Sequence, residues 1–312
     1  MPRPERSAGR ADAGDAGAAC AAGGRVGAGV AIPLAEAVGL GLLHGPAELL
    51  PISSSGHITV VPWLLRWRYV DADPELRKAF EVALHGGTAA ALLVTLRDEV
   101  GDVVRDASPR TLGLIVLSFL PAAAAGFLLE GPIERRLGTP GSIACGMVAG
   151  AAALAWADRS PQERSFDDAD WRDALWLGFA QACALFPGVS RNGATLAAAR
   201  RRRFRRIDSN RLSRHVALPV IAAATGWKLL GLARDGVPPQ SGRALAAGAG
   251  SAFLSTLAST PVLALVERDG SLLPLAAYRI GLAGLVGARL WHERADGGRR
   301  RPPRQGPFGR CS

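Results

Sequence analysis

Residues 42–60 read LLHGPAELLPISSSGHITV. They close an apolar run, yet they hold two histidines, a glutamate, three consecutive serines and two prolines. A segment that favours leaving water thus carries groups that must be satisfied when it does.

The stretch has a partner. GLLHGPAELLPISSSG at 41–56 lies over GFAQACALFPGVSRNG at 178–193 without a gap, at an offset of 137 residues (178 against 41). Gly41 falls on Gly178, His44 on Gln181, Ser53 on Ser190 and Gly56 on Gly193. A proline precedes each aligned serine, Pro51 and Pro187.

The surroundings of the two copies give the class. The chain has 312 residues, 48% of them hydrophobic, which alone fits a soluble protein. Distribution decides otherwise. Apolar blocks near the roughly 20 residues that a spanning helix needs recur at about 79–97, 111–129, 141–157, 212–233, 243–266 and 272–292. Three come after each copy of the motif at nearly constant offset. The expected fold is therefore an all-α polytopic membrane protein with two re-entrant helical segments and about six transmembrane helices. Three spans separate the motifs, so the two segments enter from opposite faces. That is an inverted-topology repeat, whose sites lie where the halves meet. Repeat one covers 34–157, repeat two 171–292, and the membrane domain 30–292.

Non-helical backbone at that depth is tolerated only inside protein or beside a watery cavity. LPISSSGH and FPGVSRNGAT suit it. Proline ends the incoming helix, glycine allows a tight reversal, and serine or threonine caps the next helix.

Net charge is +10, almost all from arginine, with Lys78 and Lys228 the only lysines. The cluster in 200–211 is the densest in any short loop and sets that loop in the cytoplasm, as a lipid-facing segment rather than a nucleic-acid patch. The loops at 98–110, 158–171 and 267–271 then share its side. Those at 67–78, 130–140 and 234–242 and both termini face out. Residues 1–29 lack the apolar core of a signal peptide and read as a disordered leader, and 293–312 as a disordered basic tail. Cys20, Cys145, Cys183 and Cys311 form no CxxC pair and specify neither disulfide nor zinc site.

The groups that converge are His44, Glu48, Ser53, Ser54, Ser55 and His57 from the first motif. Gln181, Ser190, Arg191, Asn192 and Thr195 come from the second. An arginine in a membrane is costly and usually faces an anion or a polar interior. Arg191, among hydroxyls and glycines at a helix start, suits a phosphate. Glu48 would repel that phosphate unless a divalent cation lay between them. His44 is four residues before Glu48 and shares its helix face. His57 is a candidate general acid or base and a nearby serine a candidate nucleophile. Glu81, Tyr278 and Arg279 sit near span ends and read as snorkelling groups.

AELLPISSSGH and FPGVSRNGAT closely resemble the two signatures of the undecaprenyl-diphosphate phosphatases, the bacitracin-resistance family. AFEVALHGGTAAALLVTLRDEV, LSRHVALPVIAAATGWKL and LPLAAYRIGLA are similar to further parts of it, so the resemblance covers about 34–292. It implies a hydrolase of the bacterial plasma membrane that converts undecaprenyl diphosphate to undecaprenyl phosphate and phosphate, with a site open to the outside. It implies Mg²⁺ or Ca²⁺ as cofactor, membrane lipids and the lipid diphosphate as partners, and no nucleic acid. A homodimer stays open.

By position, Glu48 matches the second glutamate of the family's ExxxE pair and is both metal ligand and catalytic group. Ser54 matches the proposed nucleophile and His57 the motif histidine. Ser53, Ser190, Arg191, Asn192 and Thr195 fall in the phosphate-binding signatures. Two positions depart. His44 replaces the first glutamate, and Asn192 a serine. Histidine can ligate a metal but brings no negative charge, and Mg²⁺ favours oxygen. A flippase for undecaprenyl phosphate is the alternative reading, since inverted repeats are transporter-like. Lipid crossing leaflets without phosphate release would distinguish it.

Overall fold

The computed structural model describes residues 31–97, 101, 105, 108–236 and 241–299. The proposed leader, and the tail beyond Arg299, lie outside these residues. Ten α-helices form the described structure: α1 Leu34–Leu49, α2 Ser54–Leu65, α3 Pro74–Thr95, α4 Pro109–Leu137, α5 Pro140–Asp158, α6 Trp171–Cys183, α7 Arg191–Arg201, α8 Arg206–Asp235, α9 Gly242–Asp269 and α10 Leu273–Arg299. There is no strand among the described residues beyond an isolated bridge between Arg164 and Phe204.

Five helices, α4, α5, α8, α9 and α10, are long and apolar enough to cross a membrane. The expected span at 79–97 is present as α3 but is not one of these five. Its start moves back to Pro74, because Asp73 caps the helix by accepting from the N–H groups of Glu75 and Leu76. Proline at the first position fits such a start. The first turns carry Glu75, Arg77 and Lys78, which lower its apolarity. Its 22 residues still reach about 33 Å, close to the thickness of a bilayer core. At the other end of the chain, α10 continues through Arg299, so the first part of the stretch expected to be a tail is helical.

The repeat is visible in helix positions and in packing. α1 and α6 start at Leu34 and Trp171, α2 and α7 at Ser54 and Arg191, each pair 137 apart. α1 packs along α9 and, reciprocally, α6 along α4. α3 meets α9 as α8 meets α4, while α5 meets α10 and α3 meets α8 across the centre. Each short-helix hairpin is thus held mainly by a long helix of the other repeat. Small residues permit the closest of these approaches. A side chain on Gly45 would collide with Ser255 and Thr256, and Ser255 donates to the Gly41 carbonyl at 2.9 Å.

Both hairpins enter and leave on one side. The Glu36 carboxylate, at the start of α1, accepts from the N–H groups of Arg68 and Tyr69, just past α2. Asp173, at the start of α6, accepts from Arg202, at the end of α7, at 2.5 Å. The second hairpin's base belongs to a face built from several loops. Arg110 reaches the Ala169 carbonyl, Arg206 pairs with Asp158 at 2.7 Å, and Ser271 donates to the same Asp158. The loops near 110, 158–169, 202–205 and 271 therefore share a face, as parity requires.

The arginine cluster there is less lipid-directed than expected. Arg200 is fully buried and donates to the carbonyls of Phe204 and Ser160, clamping the loop. Arg201 lies 3.7 Å over the Trp156 ring. Arg203 pairs with Glu163 at the surface.

Gly188 at the second tip has φ +89, and a Cβ there would lie 2.1 Å from the Ile143 carbonyl oxygen. Gly188→Ala should therefore cost about 1–3 kcal/mol. A drop in the detergent unfolding midpoint, absent for Ala at the open Gly226, is the expected readout.

Candidate active site

The two hairpin tips meet. In the first, Leu50 is extended and Ser53 has φ +80, a left-handed conformation uncommon for a side-chain-bearing residue. The Ser53 hydroxyl accepts from the Gly56 N–H and caps α2. In the second, Gly188 makes the reversal and the Ser190 hydroxyl caps α7 by accepting from the Gly193 N–H. Two helix N-termini, with their partial positive charge, thus begin at the contact between the tips.

Glu48 is the centre of that contact. Its Oε1 accepts from Arg191 Nη2 at 2.8 Å, and its Oε2 accepts from the Ser54 hydroxyl. The expected phosphate-binding arginine, the carboxylate and the expected nucleophile form one connected group. Ser55 is exposed at its edge.

Other expected residues are placed differently. Asn192 donates to the Leu49 carbonyl at 2.7 Å, joining the tips, and accepts from Ser213 on α8 at 3.0 Å, so both ends of its amide are engaged. Thr195 is fully buried, with its hydroxyl within hydrogen-bond reach of the Arg191 carbonyl and of Ser213. It braces α7 and does not line the cavity. Gln181 is on the cavity wall and donates to the Ser118 carbonyl.

His57 is hydrogen-bonded to groups other than Ser54. Its Nδ1 is 2.7 Å from the Ser53 carbonyl oxygen, which can only accept, so Nδ1 carries the proton. Its Nε2 then accepts from the Tyr278 hydroxyl at 2.8 Å. Both ring nitrogens are committed to fixing the strained Ser53 turn. The Ser54 hydroxyl is paired with Glu48 instead.

Two further residues meet the site where the sequence gives no local sign of it, Arg279 and His85. Arg279 does not snorkel. It is fully buried and donates to the carbonyls of Pro51 at 3.1 Å and Gly188 at 2.9 Å, one from each tip. Gly150 makes room for it, since a Cβ there would lie 2.0 Å from its Nη2. Tyr278 stays 46% exposed but brings its hydroxyl to His57. His85 on α3 is the second. One ligating atom from each of His44, Glu48 and His85 lies within 4.8 Å of the others.

These three donors fit a divalent cation. His44 is fully buried and its Nε2 has no hydrogen-bond partner among the described residues, an orphan that a cation would satisfy. The Glu48 oxygens keep lone pairs beyond those given to Arg191 and Ser54. The set nevertheless holds two nitrogens where Mg²⁺ or Ca²⁺ would favour oxygens.

From this polar end a cavity of about 750 Å³ leads away between the long helices. Glu48, Ser53, Ser54, Ser190 and Arg191 form its head. Its walls include Leu92, Leu96, Phe119, Leu218, Ile221 and Leu263. It reaches Phe127 and Trp227, which are 92% and 74% exposed on the apolar outer surface. A polar head and a greasy channel are thus continuous.

Fold and site together define an integral membrane protein built to receive a phosphorylated lipid. Residues 37–285 match the family of the bacitracin resistance protein BacA, and the chain belongs to that family. It is 40% identical over 266 residues to the undecaprenyl-diphosphatase of Geobacter sulfurreducens, covering 81% of this chain and 96% of that one. It is 37% identical over 259 residues to the undecaprenyl-diphosphatase of Geobacter metallireducens, covering 78% and 93%. The undecaprenyl-diphosphatase of Moorella thermoacetica is 34% identical over 267 residues, covering 83% and 98%.

Proposed function

We propose that the junction of the two tips hydrolyses undecaprenyl diphosphate to undecaprenyl phosphate and inorganic phosphate. The observation that carries this reading is the Arg191–Glu48–Ser54 chain at the head of an apolar cavity. The terminal phosphate takes the Arg191 fork in place of Glu48, and the N-terminus of α7 supports the same charge. Glu48 then accepts the Ser54 proton. The Ser54 oxygen bonds to the terminal phosphorus as the anhydride P–O bond breaks, and undecaprenyl phosphate leaves. Water hydrolyses the phosphoserine, releasing phosphate, so one water is consumed overall. His44, Glu48 and His85 would hold a divalent cation, which when bound supplies positive charge against the departing phosphate. Arg279 and His57 hold the tips in register.

The channel walls take the first part of the polyprenyl chain, and the remainder extends into the surrounding lipid. The first hairpin enters from the face opposite the arginine-rich loops. With those loops in the cytoplasm, the site opens to the outer side of the plasma membrane. The relatives are named as phosphatases and lend no support to the flippase reading.

The test is phosphate release from undecaprenyl diphosphate by the purified protein in detergent. Ser54→Ala is expected to lower kcat by about a hundredfold or more with little change in KM, as for loss of a covalent nucleophile. Wild-type turnover should yield a phosphopeptide containing Ser54 on rapid acid quench. Full activity in Ser54→Ala would remove the nucleophile from this scheme. No release by the wild-type protein under any metal condition would remove the reaction.

A further inference from the structure

We propose that His44, Glu48 and His85 form a three-ligand site for an imidazole-accepting divalent transition metal, Zn²⁺ being the defining case, rather than for Mg²⁺ or Ca²⁺. The inference rests on the placement of the catalytic centre given above and concerns which ion that centre takes.

Three features of the donors converge. First, each histidine has one ring nitrogen held by a neighbour and the other left for ligation. His85 Nδ1 lies 2.9 Å from the Glu81 carbonyl oxygen, an obligate acceptor, so this nitrogen carries the proton and Nε2 is bare. His44 Nδ1 lies 2.8 Å from the Thr88 hydroxyl, and its Nε2 is the buried orphan. Metal-bound histidines characteristically give their other N–H to a carbonyl or another fixed acceptor. Second, the two rings converge instead of stacking, with centroids 4.6 Å apart and planes at 67°. Third, the charge is wrong for a hard ion. Glu48 is the single carboxylate in the cluster, and Arg191 already neutralises it. Mg²⁺ and Ca²⁺ are bound through carboxylates, carbonyls and water, whereas neutral imidazole suits Zn²⁺ and its transition-metal neighbours. Two histidines and one carboxylate leaving a position open is a familiar catalytic zinc set.

The experiment uses the full chain in detergent, purified without a histidine tag and stripped with a chelator. Zn²⁺, Mg²⁺ and Ca²⁺ are each titrated by calorimetry, and Co²⁺ is added as a visible-absorbance probe of nitrogen ligation. The expected result is one Zn²⁺ site at least about a hundredfold tighter than either alkaline-earth ion, with Co²⁺ bands that Zn²⁺ displaces. His85→Gln, at a half-buried position, should weaken Zn²⁺ binding about a hundredfold or more while the circular dichroism stays wild type. His44→Glu should narrow the gap between Zn²⁺ and Mg²⁺. Equal affinity for Zn²⁺ and Mg²⁺, or Zn²⁺ binding untouched in both His85→Gln and His44→Gln, would overturn the site. Phosphate release measured on the same samples separates the two readings. Histidine-dependent Zn²⁺ binding without release leaves the site standing and overturns the phosphatase. Release without such binding overturns the site alone.

Discussion

Arg191→Ala is expected to lower phosphate release from undecaprenyl diphosphate by about a hundred- to a thousandfold. Removing one preorganised donor from a developing phosphate charge typically costs that much in rate. Arg191 is a charged donor at the head of the cavity, with its side chain 27% exposed. The same change should lower stability, because Glu48 would keep its carboxylate with only 9% exposure and no ion pair. Breaking a buried pair by removing one partner costs about 3–5 kcal/mol when burial is complete, so a smaller loss is expected here. The two effects can be separated. Arg191→Lys restores charge without the planar fork and should recover more stability than activity. Glu48→Gln combined with Arg191→Met should recover stability and leave the enzyme dead. Equal phosphate release by wild type and Arg191→Ala, across Zn²⁺, Mg²⁺ and Ca²⁺, would show that this arginine is not what the substrate meets.

Arg279→Met should produce the largest loss of stability of any single change in the site. Hydrogen bonds from a charged donor contribute about 1.5–3 kcal/mol each, and this guanidinium gives one to each hairpin tip. Losing both is about 3–6 kcal/mol against a total that is commonly 5–15 kcal/mol. The unfolding midpoint in detergent should fall by about 10 °C or more. Activity should vanish with it, since both tips would lose their common anchor. Arg279→Lys, able to reach one carbonyl but not both, should fall between. A midpoint within about 2 °C of wild type for Arg279→Met would mean the tips hold each other without it.

The architecture was legible because two simple signals agreed. Motif offset and span count both gave an inverted repeat, and proline and serine positions gave the breaks in the hairpins. That Glu48 and Arg191 meet is legible for a related reason: polar groups in an apolar stretch need partners, and the second copy supplies them, whereas only the family resemblance separates Ser54 from Ser53 and Ser55. The misreadings have physical causes as well. His57 lies three residues past Ser54 on α2, but its ring nitrogens meet the Ser53 carbonyl and Tyr278, while Ser54 meets Glu48. Arg279 comes soon after the start of α10, where an arginine ordinarily reaches for water. It points inward because two uncovered carbonyls wait there. His85 sits in a helical span with nothing unusual in its local spacing. Only the packing of α3 beside α1 brings it to His44. The start of α3 was missed by reading apolarity alone, when the Asp-Pro cap was the better marker.

The reciprocal embrace of the hairpins bears on the symmetry of the site. Since α1 rests on α9 and α6 on α4, a half-length chain inserted in both orientations would reproduce the same contacts as a symmetric pair. Such a pair would present two identical tips, each obliged to carry every group that the other carries. Here the first tip carries the carboxylate and hydroxyl and the second the guanidinium, and neither duplicates the other. A single chain thus keeps a two-fold scaffold around a site that has no two-fold symmetry.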